Sequence, residues 1–256
     1  MATRITTWNI NGYRAALNKG FKDWLENEKP DIVCLQEIKV QLHQLSGDQK
    51  TYADYPATYW NPAQKPGYSG VATFCMNHPA QYQAGIGIPE YDSEGRVLLT
   101  KFPGFSLFNV YFPNGQRGQE RVDYKLSFYQ HLLDLVQQLR ANGEEVIITG
   151  DYNTAHREMD LARPRENAKT SGFLPEERAM VDRYLGTGLV DIFRQLYPDK
   201  VQYTYWDMVT GARKRNVGWR IDYFLITPEL VPLVQDAVIH DEVLGSDHCP
   251  LSLILK

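Results

Sequence analysis

The 256-residue chain has no apolar run approaching the ~20 residues that a bilayer crossing requires. Its opening, MATRITTWNI, lacks the apolar core of a signal peptide and runs straight into a strand-like pattern. An unprocessed intracellular chain is therefore expected, cytoplasmic and close to the nucleoid if the source is prokaryotic. Cysteine is scarce: Cys34, Cys75 and Cys249 are an odd number, and none has the Cys/His spacing of a zinc site. All three fall in apolar runs, as buried reduced thiols do. Repeats, low-complexity tracts and long linkers are also missing, so a single domain over residues 1–256 is expected. No basic excess exists either, since 27 Lys and Arg against 31 Asp and Glu leave a formal net charge of −4. Any binding of a polyanion must then rely on basic groups gathered on one face.

Against these absences stand many short runs of β-branched and aromatic residues bounded by Gly, Pro or Asn, which predict strands. They cover Thr3 to Trp8, Asp31 to Gln36, Val71 to Met76, Val97 to Phe102, Phe105 to Phe112 and Glu145 to Thr149. Later runs cover Tyr203 to Trp206, Trp219 to Ile226, Ala237 to His240 and Pro250 to Leu255. Helical signals are fewer. Phe128, Leu132, Leu135, Val136 and Leu139 form one apolar stripe, stopped near Asn142-Gly143. Phe21, Trp24 and Leu25 mark a second helix, and Pro175 to Tyr184 a third with proline at its opening. Hairpins mixed with strand–helix–strand units predict mixed sheets covered by helices.

Polar residues cluster where these strands run out. The runs end in Trp8-Asn9-Ile10-Asn11, Gln36-Glu37, Tyr111-Phe112-Pro113-Asn114 and Asp151-Tyr152-Asn153. Arg220-Ile221-Asp222 and Ser246-Asp247-His248 behave alike. Ligands of α/β folds sit at strand ends, so the set can converge on one site. Taken singly, an Asp-Asn pair after a strand is an ordinary turn former. As a set, these carboxylates, amides, one His and one Tyr suit phosphodiester hydrolysis. A hard cation such as Mg²⁺ takes oxygen ligands, for which Glu37 is the best placed. Asp151 with Asn153 suits the orientation and deprotonation of water. His248 suits a developing phosphate charge, with Asp222 to hold its tautomer.

The blocks WNINGYRA, DIVCLQEIK, GYSGVA, EGRV, YFPNG, GDYNTAHREMDL, SGFLPEER, NVGWRIDYFL and GSDHCPL resemble, in order, the exonuclease III family of abasic-site endonucleases. That family belongs to the wider endonuclease/exonuclease/phosphatase superfamily, which includes DNase I. The resemblance spans Trp8 to Leu251. It implies an α/β four-layer sandwich in which two mixed sheets pack face to face with helices outside. It makes Glu37 the principal metal ligand, with Asn11 and Asp247 near the metal and Asn9 hydrogen-bonding in the site. Some relatives carry Asp where this chain has Asn11. Mg²⁺ is the implied ion, with Mn²⁺ a substitute. Tyr111 would contact the scissile phosphate, and Asp151 and Asn153 would position the water. His248, oriented by Asp222, would bind the phosphate or act as base. Asp151 or His248 takes the proton, and one metal or two take part.

Tyr68 and Arg117 match positions that in the family reach into the duplex near the lesion, and the basic run Arg213-Lys214-Arg215 suits phosphates, with Arg213 the candidate contact. Tyr205, Trp219 and Ile221 match the wall of a pocket for an extrahelical sugar without its base. Asn114, Asn167 and Ser171 are further candidate DNA contacts, the last two flanking the pocket with Gly172. The implied activity is incision 5′ to abasic sites in duplex DNA. Processing of 3′-phosphates and 3′-blocked ends and 3′→5′ exonuclease action accompany it, with nicking at uracil or damaged bases as an extension. The implied enzyme is a monomer with no membrane partner. Two rival readings are a sister phosphoesterase for RNA tails, inositol phosphates or lipid head groups, and a non-catalytic DNA-binding protein on the same fold. The first should lack the WRIDY block and the second should have lost a catalytic residue. This chain has the WRIDY block and keeps Glu37, Asp151, Asn153 and His248.

Overall fold

The structure, a computed structural model, describes residues 2–256. In chain order the strands are β1 (Thr3–Asn9), β2 (Ile32–Gln36), β3 (Ala57–Asn61), β4 (Val71–Cys75), β5 (Gln81–Ala84) and β6 (Val97–Phe102). They continue with β7 (Phe105–Tyr111), β8 (Val146–Asp151), β9 (Val190–Asp191), β10 (Asp222–Ile226), β11 (Val234–Ile239) and β12 (Leu251–Leu255). They form two six-stranded sheets, ordered β11-β12-β1-β2-β4-β3 and β5-β6-β7-β8-β10-β9. Each sheet has one parallel pair at its centre, β1 with β2 and β7 with β8. A parallel pair needs a crossover, and helices supply it. α1 (Tyr13–Leu17) and α2 (Phe21–Glu28) bridge the first pair. After α3 (Gly47–Lys50) and α4 (Pro89–Asp92), the long α5 (Gln119–Ala141) bridges the second. α6 (Pro175–Gly186) and α7 (Ile192–Leu196) follow.

Three apolar layers make the four-layer sandwich. Ile5, Cys34 and Leu253 of one sheet meet Leu107, Ile147 and Phe224 of the other. Tyr13, Phe21 and Leu25 cover the outer face of the first sheet, on Trp8, Val33 and Phe74. Phe128, Leu132, Val136 and Tyr184 cover the second, on Phe108, Ile148 and Leu225. Truncating a fully buried leucine such as Leu132 to alanine should cost about 2–5 kcal/mol.

Two expected strands turn out differently. Tyr203 to Trp206 is not a strand, and the run expected from Trp219 becomes regular only at Asp222. Tyr205 instead forms single bridges to Trp219 and His248, and Trp219 to Leu161. The chain wraps a pocket there rather than extending the sheet. β3, the exposed edge strand β5 and the helices of four or five residues were not anticipated, because such segments are shorter than the window over which periodicity can be read.

Candidate active site

Register decides which side chains meet at the ends of the central strands. Asn9 closes β1 opposite Gln36 of β2, so the next residue, Glu37, stands beside it. On the second sheet Tyr111, Asp151 and Asp222 lie in register across β7, β8 and β10. In-register neighbours share a face, so the three polar side chains point into one space. The backbone here is strained: Asn11, Glu37 and Asn153 have φ of 45°, 50° and 50°. Left-handed conformations of this kind cost of order 1 kcal/mol or more each and persist where the surroundings hold them. The Gly12 N–H donates to Glu37 O at 2.8 Å, and the Asn153 N–H to Asp151 Oδ1 at 2.8 Å. Gly150, just before Asp151, comes so close to β7 that a Cβ would lie 1.9 Å from the Val110 carbonyl oxygen.

One amide ties the two sheets together. Asn9 Nδ2 donates to Glu37 Oε1 and to Asp151 Oδ2, both at 2.8 Å. Lys39 Nζ lies 2.6 Å from Glu37 Oε2 and also donates to Asn11 Oδ1. Asn11 Nδ2 in turn donates to Asp247 Oδ2 at 3.0 Å. Opposite them, His248 Nδ1 donates to Asp222 Oδ2 at 2.8 Å, while its Nε2 faces Asp151 Oδ2 at 3.7 Å. The loop bearing His248 is pinned where the Ser246 hydroxyl donates to Asn9 O and Trp8 Nε1 donates to His248 O.

Burial pushes the Asp151 carboxyl up; His248 pulls it down, while Asp222 and Glu37 push it up again, to about 7. Burial opposes a charged His248, but Asp222, Asp151 and the Asp222 hydrogen bond outweigh it and raise the imidazolium to about 10. Asp151, Asp222 and His248 present ligand-capable atoms within 4.8 Å of one another. A protonated imidazole has no lone pair for a metal, however, so this trio is better suited to holding a proton. The oxygens of Glu37, Asn11 and Asp247, with Asp151 across the Asn9 amide, fit a hard divalent cation. Such a cation would also offset the negative charge of Asp222 and Glu37, which adds to burial in raising Asp151.

A cavity of about 140 Å³ is lined by Asp151, Asn153 and His248 together with Tyr205, Trp219 and Ile221, and by Ser171 and Gly172, the latter against the Trp219 ring. A groove of about 650 Å³ continues past Glu37, Tyr111, Asn114 and Asp247 to Tyr68, Arg117 and Arg121. Three expected DNA contacts have internal commitments. Arg213 does not present a free guanidinium: it donates to Asp241 O at 2.7 Å and Val243 O at 2.6 Å and lies over the Trp206 ring. Arg213 therefore braces the loop that leads to His248. Asn167 donates to Arg163 O at 2.9 Å and lies outside the residues lining the cavity. The Tyr68 hydroxyl accepts from Arg96 at 2.9 Å and Arg121 at 2.8 Å, so its ring is fixed at the groove edge.

Lys39, Gln116, Arg96 and Arg121 were not anticipated as part of this surface. Arg96 and Lys39 sit inside the EGRV and DIVCLQEIK blocks, so a signal was present.

The Endonuclease/Exonuclease/phosphatase family matches residues 6–248. The chain belongs to that family. Over 255 residues it is 43% identical to an exodeoxyribonuclease of Bacillus subtilis (strain 168), covering 99% of each chain. It is 42% identical over 254 residues to the DNA repair nuclease APEX1 of Danio rerio, covering 98% of this chain and 82% of that protein. In structure it is similar to the AP endonuclease LMAP from Leishmania major, with a TM-score of 0.90 and 31% identity, covering 100% of this chain and 88% of that one. As a member of this family, with these likenesses over its full length, the chain is an enzyme that hydrolyses phosphodiester bonds. No helix among the described residues is long and apolar enough to cross a membrane.

Proposed function

We propose that the chain is a magnesium-dependent class II abasic-site endonuclease that cuts duplex DNA 5′ to the lesion, leaving a 3′-hydroxyl and a 5′-deoxyribose phosphate. The observation that carries this reading is that the phosphate-handling cluster and the aromatic side chains of Tyr205 and Trp219 line one cavity. The Tyr205 ring lies 4.9 Å from the His248 ring, and Trp219 bridges to Tyr205. A nucleotide leaves the stack at least cost where no base pairs, and such a pocket favours the sugar that has lost its base.

Glu37, with Asn11 and Asp247 beside it, would hold the cation, Mg²⁺ or in its place Mn²⁺. When bound, the cation supplies Lewis-acid neutralisation of the phosphate. Asn153 and Asp151 hold the attacking water, and Asp151 accepts its proton; Asn9 fixes that carboxylate toward the site. His248 has its Nδ1 engaged by Asp222, so its Nε2–H serves as the donor to the phosphate, with the Tyr111 hydroxyl beside it. Arg117, Tyr68 and Asn114 follow the DNA along the groove. Ser171 lines the pocket beside Gly172, which packs on Trp219.

The relatives bear the names exodeoxyribonuclease, DNA repair nuclease and AP endonuclease, which supports DNA as the substrate. It also supports 3′→5′ exonuclease and 3′-end cleaning activities on the same site. A monomer working in the cytoplasm, where bacterial DNA lies, is the matching assignment. A panel of labelled duplexes carrying an abasic site, uracil, a 3′-phosphate or no lesion, incubated with Mg²⁺ and then with chelator, tests the proposal. Incision 5′ to the abasic site that vanishes in chelator is expected. Intact abasic duplex after incubation with Mg²⁺, or full cleavage in chelator, would overturn it.

A further inference from the structure

Lys125 and Glu177 occupy inward positions on two amphipathic helices. On α5 the buried face runs Val122, Lys125, Phe128 and Tyr129, and Leu132; on α6 it runs Glu177, Met180 and Val181, and Tyr184. Both charged side chains are 0% exposed and their ends meet at 2.7 Å. Desolvating two ions is expensive, and an apolar pair of similar volume often gives equal or greater stability. The other contacts of this pair are what an apolar pair could not make. Lys125 Nζ also donates to the Asn153 carbonyl at 2.7 Å. Glu177 accepts from the Ser171 hydroxyl at 2.8 Å, the Gly172 N–H and the Leu174 N–H at 3.1 Å.

Three loops of the candidate site therefore converge on one buried ion pair. The loop after β8 presents Asn153. The loop before α6 presents Ser171 and Gly172, the latter packed on the Trp219 ring, which an added Cβ would approach to 3.4 Å. The loop after β7 arrives through Gly115, where a Cβ would stand 2.5 Å from Ser171 Oγ and 3.4 Å from Glu177 Oε1. This turn carries Asn114, whose amide donates to Asn153 Oδ1 at 3.1 Å.

We propose that Lys125 and Glu177 are positioning residues, holding Asn153 and the Ser171–Gly172 wall at a fixed distance from Trp219 and so setting how well a lesion is seated for attack. The inference rests on the pocket assignment of the proposed function. Neither residue touches substrate, so the loss should fall on kcat for an internal abasic site and leave KM nearly unchanged.

The test uses the full-length chain with Mg²⁺ and compares incision of an abasic duplex with removal of a 3′-phosphate, which depends less on the pocket wall. The variants are Glu177→Gln and the charge-neutral double variant Lys125→Met, Glu177→Gln, with thermal unfolding recorded for each. The double variant should regain most of the stability that Glu177→Gln loses. Its kcat at the abasic site should still be down about 10- to 100-fold, the scale of a small misplacement of reacting groups, with a lesser loss on the 3′-phosphate. Should the double variant not fold, Glu177→Gln alone is read by the same ratio. A wild-type ratio in a folded variant, or losses on both substrates that follow only the folded fraction, overturns the positioning role. Wild-type enzyme that leaves abasic duplex uncut instead overturns the proposed function, and the two failures are distinct.

Discussion

The two sheets follow one plan and use it differently. In each, a central parallel pair is joined by helices and flanked by antiparallel strands, β4 beside β2 and β10 beside β8. Each parallel pair runs out at a carboxylate and a left-handed residue, Glu37 being both in the first sheet, and Asp151 standing two before Asn153 in the second. Their surroundings diverge. The Glu37 side chain is 17% exposed and faces Lys39, whereas Asp151 is 2% exposed between Asp222 and His248. A partly exposed carboxylate is suited to a hydrated cation and a buried, raised one to taking a proton. The supporting loops differ as well. The Glu37 loop is held by main-chain bonds, such as Ile38 N–H to Gly70 O at 3.1 Å and Lys39 N–H to Ser69 O at 2.9 Å. The loops of the second sheet rest on buried ions, Lys125 with Glu177 and Arg220 with Asp160 and Asp191.

The largest expected effect breaks the second half. Asp151→Asn keeps the shape but removes the basic oxygen, and single-turnover incision should fall on the order of 10²-fold or more. Binding of abasic duplex, followed by fluorescence anisotropy, should persist. Turnover near wild type would move the proton to His248. Asn9→Ala cuts the amide that links the halves. As a partner of both carboxylates, its loss should lower activity or apparent metal affinity roughly 10- to 100-fold. A Mg²⁺ titration of the rate separates these two effects, and an unchanged titration curve would show that the halves act independently.

Trp219→Ala probes the pocket wall that the second half supports. Incision at an abasic site should fall further than release of a 3′-phosphate, since only the internal sugar must be held out of the helix. Equal losses would make Trp219 a packing residue; because the ring is only partly buried, its truncation should cost less than the roughly 3–5 kcal/mol of a fully buried one.

The smallest effect concerns acid. Burial raises the Asp160 carboxyl, but Arg220, its hydrogen bond, the Arg157 N–H and Arg194 outweigh it and bring the pKa to about 2. The folded value lies below the ordinary one of 3.8, so this stability is complete above about pH 4 and disappears as the pH falls through 2. The difference corresponds to about 2 kcal/mol. Urea unfolding at pH 6 and pH 3 should show a smaller difference for Asp160→Asn than for wild type. In acid, hydrogen exchange should quicken at Arg220 and Asp222 before it does at Asn9 and Glu37. The reverse order would remove the contrast between the two sets of supports.

Much of the site was legible because its residues stand at strand ends, where a polar residue interrupts an apolar run. Glu37, Asp151, Asp222 and His248 each follow or begin such a run, and the structure brings them together. The helices α2 and α5 were legible from their apolar residues, and α6 from the proline at its opening. The first turns of α5 were harder to read, because Lys125 sits where the stripe calls for an apolar side chain. The internal bonds of Arg213 were not legible for a related reason: its carbonyl partners, Asp241 and Val243, lie about 30 residues away and only the fold places them against it. Tyr205 and Trp219 have the composition of strands but form only single bridges, since their partners lie far off in the chain and curve around a pocket.

Local patterning, which depends on neighbours a few residues apart, determined the sheet-forming segments, the longer helices and the inventory of polar groups at strand ends. Only the tertiary structure decided that one Asn9 amide spans Glu37 and Asp151, that Lys125 finds Glu177 52 residues away, and that Arg213 reaches the Asp241 and Val243 carbonyls. The physical reason is that hydrogen bonds and ion pairs act over about 3 Å, whatever the separation along the chain, and register and packing alone bring such partners within reach.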